Sequence, residues 1–245
     1  MLIAPLGIDD IGNSIRTFYG KAEIELFTRN TYETPISDVH VNGLNRFVER
    51  DPDPVYINPD EFPQEEPAKY CGLHLDGKEP EVALHHAKAF RRAELDVYLD
   101  ANPRDNTEQL IEHSTIVFAS EAYFLTRRQS FDDFFNDLRN RRVWFGGVTL
   151  GEHGVEWFAP GISRKHTDAP VIHENEVEDT SGAGDGFHGA LEASLDLRGS
   201  NYSWEHHIVF ASNVGGMMVR KFGNTHFPTM PEVEAFMRPR LVANA

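Results

Sequence analysis

The chain has 245 residues, of which 40% are hydrophobic and 25% charged, and these proportions suit one sizeable globular domain. With 23 Lys and Arg against 39 Asp and Glu, the net charge of −16 argues against a nucleic-acid-binding surface, which would need a basic stripe. No apolar run approaches the length of a membrane span, and residues 1–7 lack the basic flank of a signal peptide. We therefore expect a cytoplasmic protein with a small-molecule substrate and no nucleic-acid or membrane partner.

The first part of the chain opens on a turn with the sequence Gly-Ile-Asp-Asp-Ile-Gly at residues 7–12. Apolar and polar residues alternate around residues 36–41, a turn is expected at Gly43, and a run rich in Asp, Glu and Pro follows. This pattern predicts short strands and loops over about residues 31–67.

From about residue 68, apolar strands alternate with amphipathic helices, which is typical of βαβ units and a parallel sheet. The predicted strands are Tyr70–Leu75, Leu95–Leu99, Thr115–Phe118, Val143–Val148 and Val155–Phe158. The predicted helices cover residues 80–94, 107–113, 131–140, 184–197 and 204–221. The sequence therefore indicates an α/β protein.

The cysteine and histidine residues offer little chemistry. The single cysteine, Cys71, excludes an internal disulfide, and its apolar neighbours predict a buried structural thiol. The pairs His85-His86 and His206-His207 are adjacent in sequence, so on a helix they would point about 100° apart. No cluster of Cys, Asp or Glu completes a tetrahedral zinc site with them.

The most informative segment is a glycine-rich turn, Asp179-Thr180-Ser181-Gly182-Ala183-Gly184-Asp185, that leads into a predicted helix. Glycine permits left-handed backbone angles and a close approach to a ligand, so successive N–H groups can converge on an anion at the helix N-terminus. A carboxylate at Asp185 could accept a proton from an incoming hydroxyl group. The alternative is a tight strand-to-helix turn with Asp185 as an N-terminal cap.

The string DTSGAGD, followed by Gly186-Phe187 and several small residues, resembles the signature of the PfkB, or ribokinase-like, family of carbohydrate kinases. This resemblance implies a three-layer α/β/α sandwich with a mostly parallel sheet and a small β-lid at about residues 31–67, within a single domain over residues 1–245. It also implies that Asp185 is the catalytic base and that Gly182, Ala183 and Gly184 form the anion hole.

The resemblance extends to residues at the ends of predicted strands. The turn at residues 7–12 is similar to the family's glycine-aspartate-aspartate turn, which implies that Asp9 contacts the substrate. The stretch with Asp100, Asn102 and Arg104 is similar to the family's substrate-facing Asp-x-Asn-x-Arg loop. In open α/β sheets, ligands gather at the carboxyl ends of strands. The alternative is that these residues only terminate a strand and begin a turn.

A second group of residues resembles the family's nucleotide-binding positions. Thr149, Gly151 and Gly154 match a strand-end loop that lies against the phosphates, and the same residues also fit the turn of a β-hairpin. The resemblance further assigns nucleotide contacts to three residues, which are Thr180, Asn213 and Gly216. Small residues in a helix also permit close packing, and that alternative stays open for the segment that contains Asn213 and Gly216.

Two departures from the family pattern concern the metal site and the N-terminus. Many members have Asn-x-x-Glu after a strand, whereas this chain has Ser120-Glu121-Ala122-Tyr123, and we expect Glu121 to help organise Mg²⁺. An acidic protein that binds a nucleotide needs such a cation. Family members also carry a first strand and a Gly-Gly-x-x-x-Asn stretch before the turn at residues 7–12, so we expect an N-terminally truncated version of the fold.

The function that the resemblance implies is ATP-dependent transfer of the γ-phosphoryl group to a hydroxyl of a carbohydrate. The alternative is a non-catalytic remnant that binds a nucleotide or a partner protein. Residues 74–123 are similar to those of ketohexokinase-like members, which favours a ketose substrate. The family also commonly forms homodimers through the lid, and exposed strand edges would favour such an assembly.

Overall fold

A computed structural model of the chain describes residues 1–42, 45–50, 57–61 and 66–243. Contacts group the chain into two compact units, Met1–Glu65 and Glu66–Ala245. The sequence-based prediction of a single domain over residues 1–245 stays a prediction.

The first unit contains a βαβ motif and a hairpin. Strands β1 (Leu2–Gly7) and β2 (Leu26–Thr31) are parallel and are connected by helix α1 (Asp10–Lys21). Strands β3 (Ser37–Asn42) and β4 (Asn45–Arg50) form an antiparallel pair. The alternation around residues 36–41 therefore does lie on a strand, while the predicted turn at Gly43 is outside the described residues.

The second unit is built on a six-stranded sheet with the order β10-β9-β8-β7-β6-β5. The first four of its strands in sequence, β5 to β8, are parallel, and β9 and β10 are antiparallel to their neighbours. The strands are β5 (Gly72–Leu75), β6 (Asp96–Ala101), β7 (Ile116–Ser120), β8 (Phe145–Thr149), β9 (Val155–Ala159) and β10 (Ile162–Thr167). Each strand predicted beyond residue 68 is present, with ends shifted by a few residues, and β10 is additional.

Seven helices are described in the second unit: α2 (Pro80–Arg92), α3 (Thr107–Ile111), α4 (Glu121–Arg127), α5 (Phe131–Asn140), α6 (Ala183–Arg198), α7 (Trp204–Met218) and α8 (Met230–Ala243). Helix α5 begins as its sequence suggests, because the hydroxyl of Ser130 accepts a hydrogen bond from the backbone N–H of Asp133 at 3.2 Å. The acidic pair Asp132-Asp133 lies in the first turn of this helix, where negative charge is favourable.

Strand residues alternate between two cores, one on each face of the sheet. On β7, Val117 and Ala119 belong to a core with the buried faces of α2 to α5. Ile116 and Phe118 point the other way, into a core with Phe187 of α6 and residues of α7. Helices therefore cover both faces, which confirms the three-layer α/β/α sandwich with a mostly parallel sheet.

One sequence-based prediction about the second unit is wrong: Cys71 is exposed, not buried. It lies just before β5, the edge strand of the sheet, so apolar neighbours in sequence do not enclose its thiol. Among the described helices, none combines the length and the apolar character that crossing a membrane would require.

Candidate active site

One hydrogen bond joins the loops that follow β5 and β6 at the carboxyl ends of these strands, and a second lies within the loop after β6. The Asn106 side-chain amide donates to the Gly77 carbonyl at 3.2 Å, and the Thr107 hydroxyl donates to the Asn102 carbonyl at 2.6 Å. Gly77 has a φ of 74°, and a Cβ there would lie 3.2 Å from Cδ of Arg104. The two loops are thus in contact, and the loop after β6 carries predicted substrate residues.

The side chain of Arg104 is available to an anion or a polar ligand. Its Nε is buried and has no hydrogen-bond partner within the described part of the chain. Its guanidinium group also makes no ion pair there with an acidic residue. A buried donor without a partner costs about 1–3 kcal/mol, and a ligand that accepts a hydrogen bond would recover this energy.

The glycine turn before α6 has the backbone conformation that its sequence predicts. Gly182 is the N-terminal cap of α6 and adopts left-handed angles, with φ 77° and ψ −2°. A Cβ at Gly182 would lie 2.6 Å from the Cβ of Asn224, whereas a Cβ at Gly184 would meet nothing within 4 Å. Gly182 is therefore required by the turn itself, and Gly184 leaves open space above the first turn of the helix.

Asp179 holds the glycine turn in place. Its carboxylate accepts hydrogen bonds from the backbone N–H of Ser181 at 2.8 Å and from that of Gly223 at 3.0 Å. The N–H of Glu178 also donates to the carbonyl of Val219 at 2.9 Å. The segment before α6 is thereby fixed to the segment after α7. This positioning role of Asp179 is an addition to the residues predicted from sequence.

Asp185 lies in the first turn of α6 and is exposed to solvent. Its carboxylate has no hydrogen-bond or ion-pair partner among the residues that the structure describes. The next residues fix the position of the helix: the ring centroid of Phe187 is 5.5 Å from that of Phe118, and Nε2 of His188 lies 3.3 Å from Oδ1 of Asp100. Helix α6 therefore begins at the carboxyl ends of β6 and β7, with the Asp185 carboxylate free to act on a ligand.

Two histidine-carboxylate pairs lie behind Asp185. His188 pairs with Asp100, and Nδ1 of His74 lies 2.5 Å from Oε1 of Glu192. The two imidazole rings are 5.8 Å apart between centroids. Residues 185, 188 and 192 are spaced to share one face of a helix, and that spacing is the signal from which the sequence could have grouped these three residues, though not their partners Asp100 and His74.

Opposite charges shift the protonation of this cluster. Burial raises the pKa of Asp100, but the hydrogen bond from His188 and the charges of His188 and His74 outweigh burial and lower it overall. Burial lowers the pKa of His74, but the hydrogen bond to Glu192 and the charges of Glu192, Asp100 and Asp76 raise it overall. The arrangement favours an ionised Asp100 at the candidate substrate loop.

The predicted phosphate loop is the turn of an antiparallel hairpin between β8 and β9. Thr149 ends β8, opposite Ser120 at the end of β7. Gly151 and Gly154 both have positive φ angles, of 58° and 86°, and a Cβ at Gly154 would lie 2.2 Å from the carbonyl oxygen of Thr167. Gly154 is thus needed by the hairpin, while the space beside Gly151 is open.

The small residues of α7 pack closely against neighbouring segments, one against backbone and one against a proline ring. A Cβ at Gly215 would lie 3.0 Å from the carbonyl oxygen of Ala183, and a Cβ at Gly216 would lie 2.4 Å from Cγ of Pro170. The Asn213 side chain is buried, and its amide donates to the carbonyl of Val209 in the same helix at 2.7 Å. Packing explains these residues, and nucleotide contacts at Asn213 and Gly216 stay a prediction.

Thr180 is exposed beside the glycine turn.

The carboxylate of Asp9, in the first unit, accepts hydrogen bonds that stabilise the local fold. It accepts from the backbone N–H of Gly12 at 2.7 Å, which caps α1, and from the N–H and hydroxyl of Thr34 at 2.7 Å and 2.6 Å. Hydrogen bonds from Thr34, and then from Gly12, lower the pKa of Asp9 to about 2. A substrate contact at Asp9 stays a prediction.

The residues present are compatible with Mg²⁺ bound together with a nucleotide. Within the described residues no group of three or more His, Cys, Asp or Glu side chains could hold a metal ion alone. Mg²⁺ usually keeps several waters and takes one or two carboxylates together with substrate phosphates, so such a group is not required. Glu121 is exposed at the first position of α4, after Ser120, whose hydroxyl caps the helix.

Comparison with known proteins assigns the chain to a family. The sequence model of the pfkB family carbohydrate kinases matches residues 1–231. The chain therefore belongs to the pfkB family of carbohydrate kinases, and its resemblance to that family is confirmed.

Solved structures show the same fold. Ribokinase from Thermotoga maritima aligns over 96% of this chain and 80% of its own, with a TM-score of 0.80 and 20% identity. Fructokinase from Xylella fastidiosa, solved with bound ATP, aligns over 98% and 85%, with a TM-score of 0.83 and 17% identity. A protein assigned as a ribokinase II from E. coli, solved with ATP and Mg²⁺, aligns over 97% and 82%, with a TM-score of 0.80 and 15% identity.

Proposed function

We propose that the protein transfers the γ-phosphoryl group of ATP to a hydroxyl group of a carbohydrate, with Asp185 as the general base. The observation that carries this proposal is the exposed, unpartnered carboxylate of Asp185 in the first turn of α6, directly after the left-handed Gly182 turn. An anion-binding helix N-terminus and a base are the two groups that phosphoryl transfer needs most.

In the proposed reaction, the acceptor hydroxyl gives its proton to the Asp185 carboxylate. The hydroxyl oxygen forms a bond to the γ-phosphorus, and the bond from that phosphorus to the β–γ bridging oxygen breaks, which leaves ADP. The backbone N–H groups of residues 182–184 stabilise the negative charge on the transferred group. Asp179 contributes by holding these N–H groups in one orientation through Ser181 and Gly223.

ATP and Mg²⁺ are the proposed cosubstrate and cofactor. Related folds have been solved with ATP and with ATP and Mg²⁺. Thr149, Gly151 and Glu121 lie at or just after the carboxyl ends of β7 and β8, where the phosphates of a nucleotide would extend from the glycine turn. Magnesium, when bound, neutralises phosphate charge in a protein whose own net charge is −16.

The acceptor sugar is proposed to contact Asp100, Asn102 and Arg104. The ionised carboxylate of Asp100 can accept hydrogen bonds from sugar hydroxyls, and the unpartnered Nε of Arg104 can donate one. His188 holds Asp100 from the helix that carries Asp185, so the substrate loop and the base are linked through α6. A ketose is the first acceptor to test.

The test is a coupled assay of ATP consumption with a panel of ketoses, pentoses and nucleosides, for the native protein and Asp185→Asn. A positioned base contributes roughly 10²–10⁴-fold in rate, so we expect turnover to fall by that factor while ATP affinity is retained. Asp196→Asn is the matched control, because Asp196 is an exposed carboxylate further along the same helix. Equal turnover in Asp185→Asn and Asp196→Asn would refute the role of Asp185.

The same assay separates a kinase from a non-catalytic remnant. Consumption of ATP that depends on one acceptor supports the kinase. Measurable ATP binding without consumption for any acceptor in the panel would instead favour a protein that binds nucleotide but transfers nothing.

We also propose that the protein forms a homodimer through the hairpin of β3 and β4. In the described residues these two strands pair only with each other, so each has an edge that lacks a partner strand. Isolated two-stranded hairpins are marginally stable, and a partner strand would complete their hydrogen bonding. Light scattering is the measurement, and a monomer at assay concentrations would contradict the proposal.

A further inference from the structure

A cavity of about 560 Å³ lies at the end of the sheet opposite to the candidate active site. It is formed where α2, α3 and α5 end and where β6, β7 and β8 are about to begin. Its lining residues are Lys88, Arg91, Arg92, Glu112, His113, Asn140, Arg141 and Arg142.

The cavity concentrates positive charge in an acidic protein. Five of its eight lining residues are Lys or Arg, although the chain as a whole has a net charge of −16. Arg141 is neutralised by ion pairs with Glu108 at 3.1 Å and Asp137 at 3.3 Å. Lys88, Arg91, Arg92 and Arg142 form no ion pair with any residue that the structure describes.

The converging helix ends do not cancel this charge. Basic residues are favourable near helix C-termini, where the helix dipole places roughly half a negative charge. Three such ends give at most about −1.5, and Glu112 adds one more negative charge, against four unpaired cations. An excess of about +1.5 remains before any ligand binds.

Arg142 adds an exposed cation to the cavity directly after the end of α5. It follows the end of α5 with a φ of 69°, in the left-handed region where glycine or asparagine is usual. A residue with a Cβ is less stable than glycine there. The position is thus occupied by a long cation at some cost in stability.

The cations that line the cavity also affect the pKa of the half-buried His113. Burial, and next the charge of Lys88, lower the pKa of His113, and the charges of Arg91 and Arg92 act in the same direction against that of Glu112. The imidazole therefore already experiences the cations that line the cavity.

We propose that this cavity is a second anion-binding site, and that it takes a small molecule with two or more phosphate groups. The cavity is open to solvent, and its volume of about 560 Å³ lies within the range of small-molecule sites. Lys and Arg side chains are the usual partners of phosphate oxygens. Since β6 to β8 separate it from Asp185, roughly 15–20 Å along the strands, the site is independent of the proposed catalytic function.

The first measurement is binding of inorganic tripolyphosphate to the full chain, for the native protein and for Arg92→Gln and Arg142→Gln. We expect each of these changes to weaken binding roughly threefold to tenfold, and more strongly at low ionic strength. Arg128→Gln is the matched control, because Arg128 is also exposed and left-handed, with a φ of 52°, but lies after α4 and outside the cavity.

Tripolyphosphate could also bind at the glycine turn before α6, so a local signal is needed. The protein is isotopically labelled at histidine, and the His113 resonances are assigned by comparison with His113→Gln. An NMR titration should then show that tripolyphosphate raises the pKa of His113. A nucleoside triphosphate and a sugar bisphosphate, compared in the same way, show which scaffold the site prefers. An unchanged His113 titration with all three ligands, or equal weakening by Arg142→Gln and Arg128→Gln, would overturn the proposal.

Discussion

Nε2 of His188 lies 3.3 Å from Oδ1 of Asp100, and this contact joins α6 to the end of β6. Asp185 precedes His188 by three residues on the same helix, a rise of about 4.5 Å. The loop proposed to hold the sugar and the residue proposed to act as base are therefore positioned by one buried imidazole-carboxylate pair.

We predict that His188→Gln will raise the pKa of Asp100. The hydrogen bond and the charge of His188 counteract burial in the native protein, and without them burial, which disfavours the carboxylate, should dominate. A folded-state pKa below the ordinary aspartate value of 3.8 stabilises the protein above that pH, and the contribution disappears as pH falls through the folded-state pKa. The variant should therefore lose stability at a higher pH during acid unfolding. Identical acid unfolding profiles for the native protein and His188→Gln would contradict the prediction.

We predict that Glu192→Gln will remove a stabilising contribution that depends on the protonation of His74. The pKa of His74 is raised above 6.5, so its pairing is fully present below pH 6.5 and is lost as pH rises through the folded-state pKa. The native protein should be more stable than Glu192→Gln at acidic pH. This difference in thermal stability should shrink as the pH of the unfolding measurement is raised. Glu205→Gln is the control, because Glu205 pairs with Lys165 at 2.7 Å and this ion pair contains no histidine. A pH-independent difference would show that His74 is not the group involved.

The sheet of the second unit was predictable because its strands are apolar runs separated by helices. Strand β10 was missed because Ile162–Thr167 is mostly polar, as expected of an edge strand that borders solvent. Helix α1 was missed because glycines interrupt its pattern, at positions 12 and 20.

The candidate site was predictable where chemistry is local in sequence, as in the glycine turn with Asp185. The pairs that link His188 to Asp100 and His74 to Glu192 join residues 88 and 118 positions apart. Only the order of strands in the sheet and the placement of α6 bring them together, and a single sequence states neither.

We predict opposite consequences for alanine at two glycines of the turn before α6. Gly182→Ala should destabilise the protein, because a Cβ would lie 2.6 Å from that of Asn224 and the residue has a φ of 77°. Gly184→Ala should fold normally, since its Cβ would meet nothing within 4 Å, yet it should lower kcat/KM by crowding the phosphoryl group. Urea unfolding and the coupled kinase assay check both variants. Full activity in Gly184→Ala would place the phosphate away from this turn.

The two glycines of α1 provide a matched pair of variants in the first unit. We predict that Gly12→Ala will lower the free energy of unfolding by about 1–3 kcal/mol, because its Cβ would lie 2.0 Å from the carbonyl oxygen of Gly7, a backbone atom that cannot move freely. Gly20→Ala should leave stability unchanged or raise it by up to about 1 kcal/mol, because nothing lies within 4 Å and alanine favours helix. Urea unfolding followed by circular dichroism measures both effects. If Gly12→Ala were as stable as Gly20→Ala, the close contact between α1 and the end of β1 would not be a constraint on the fold.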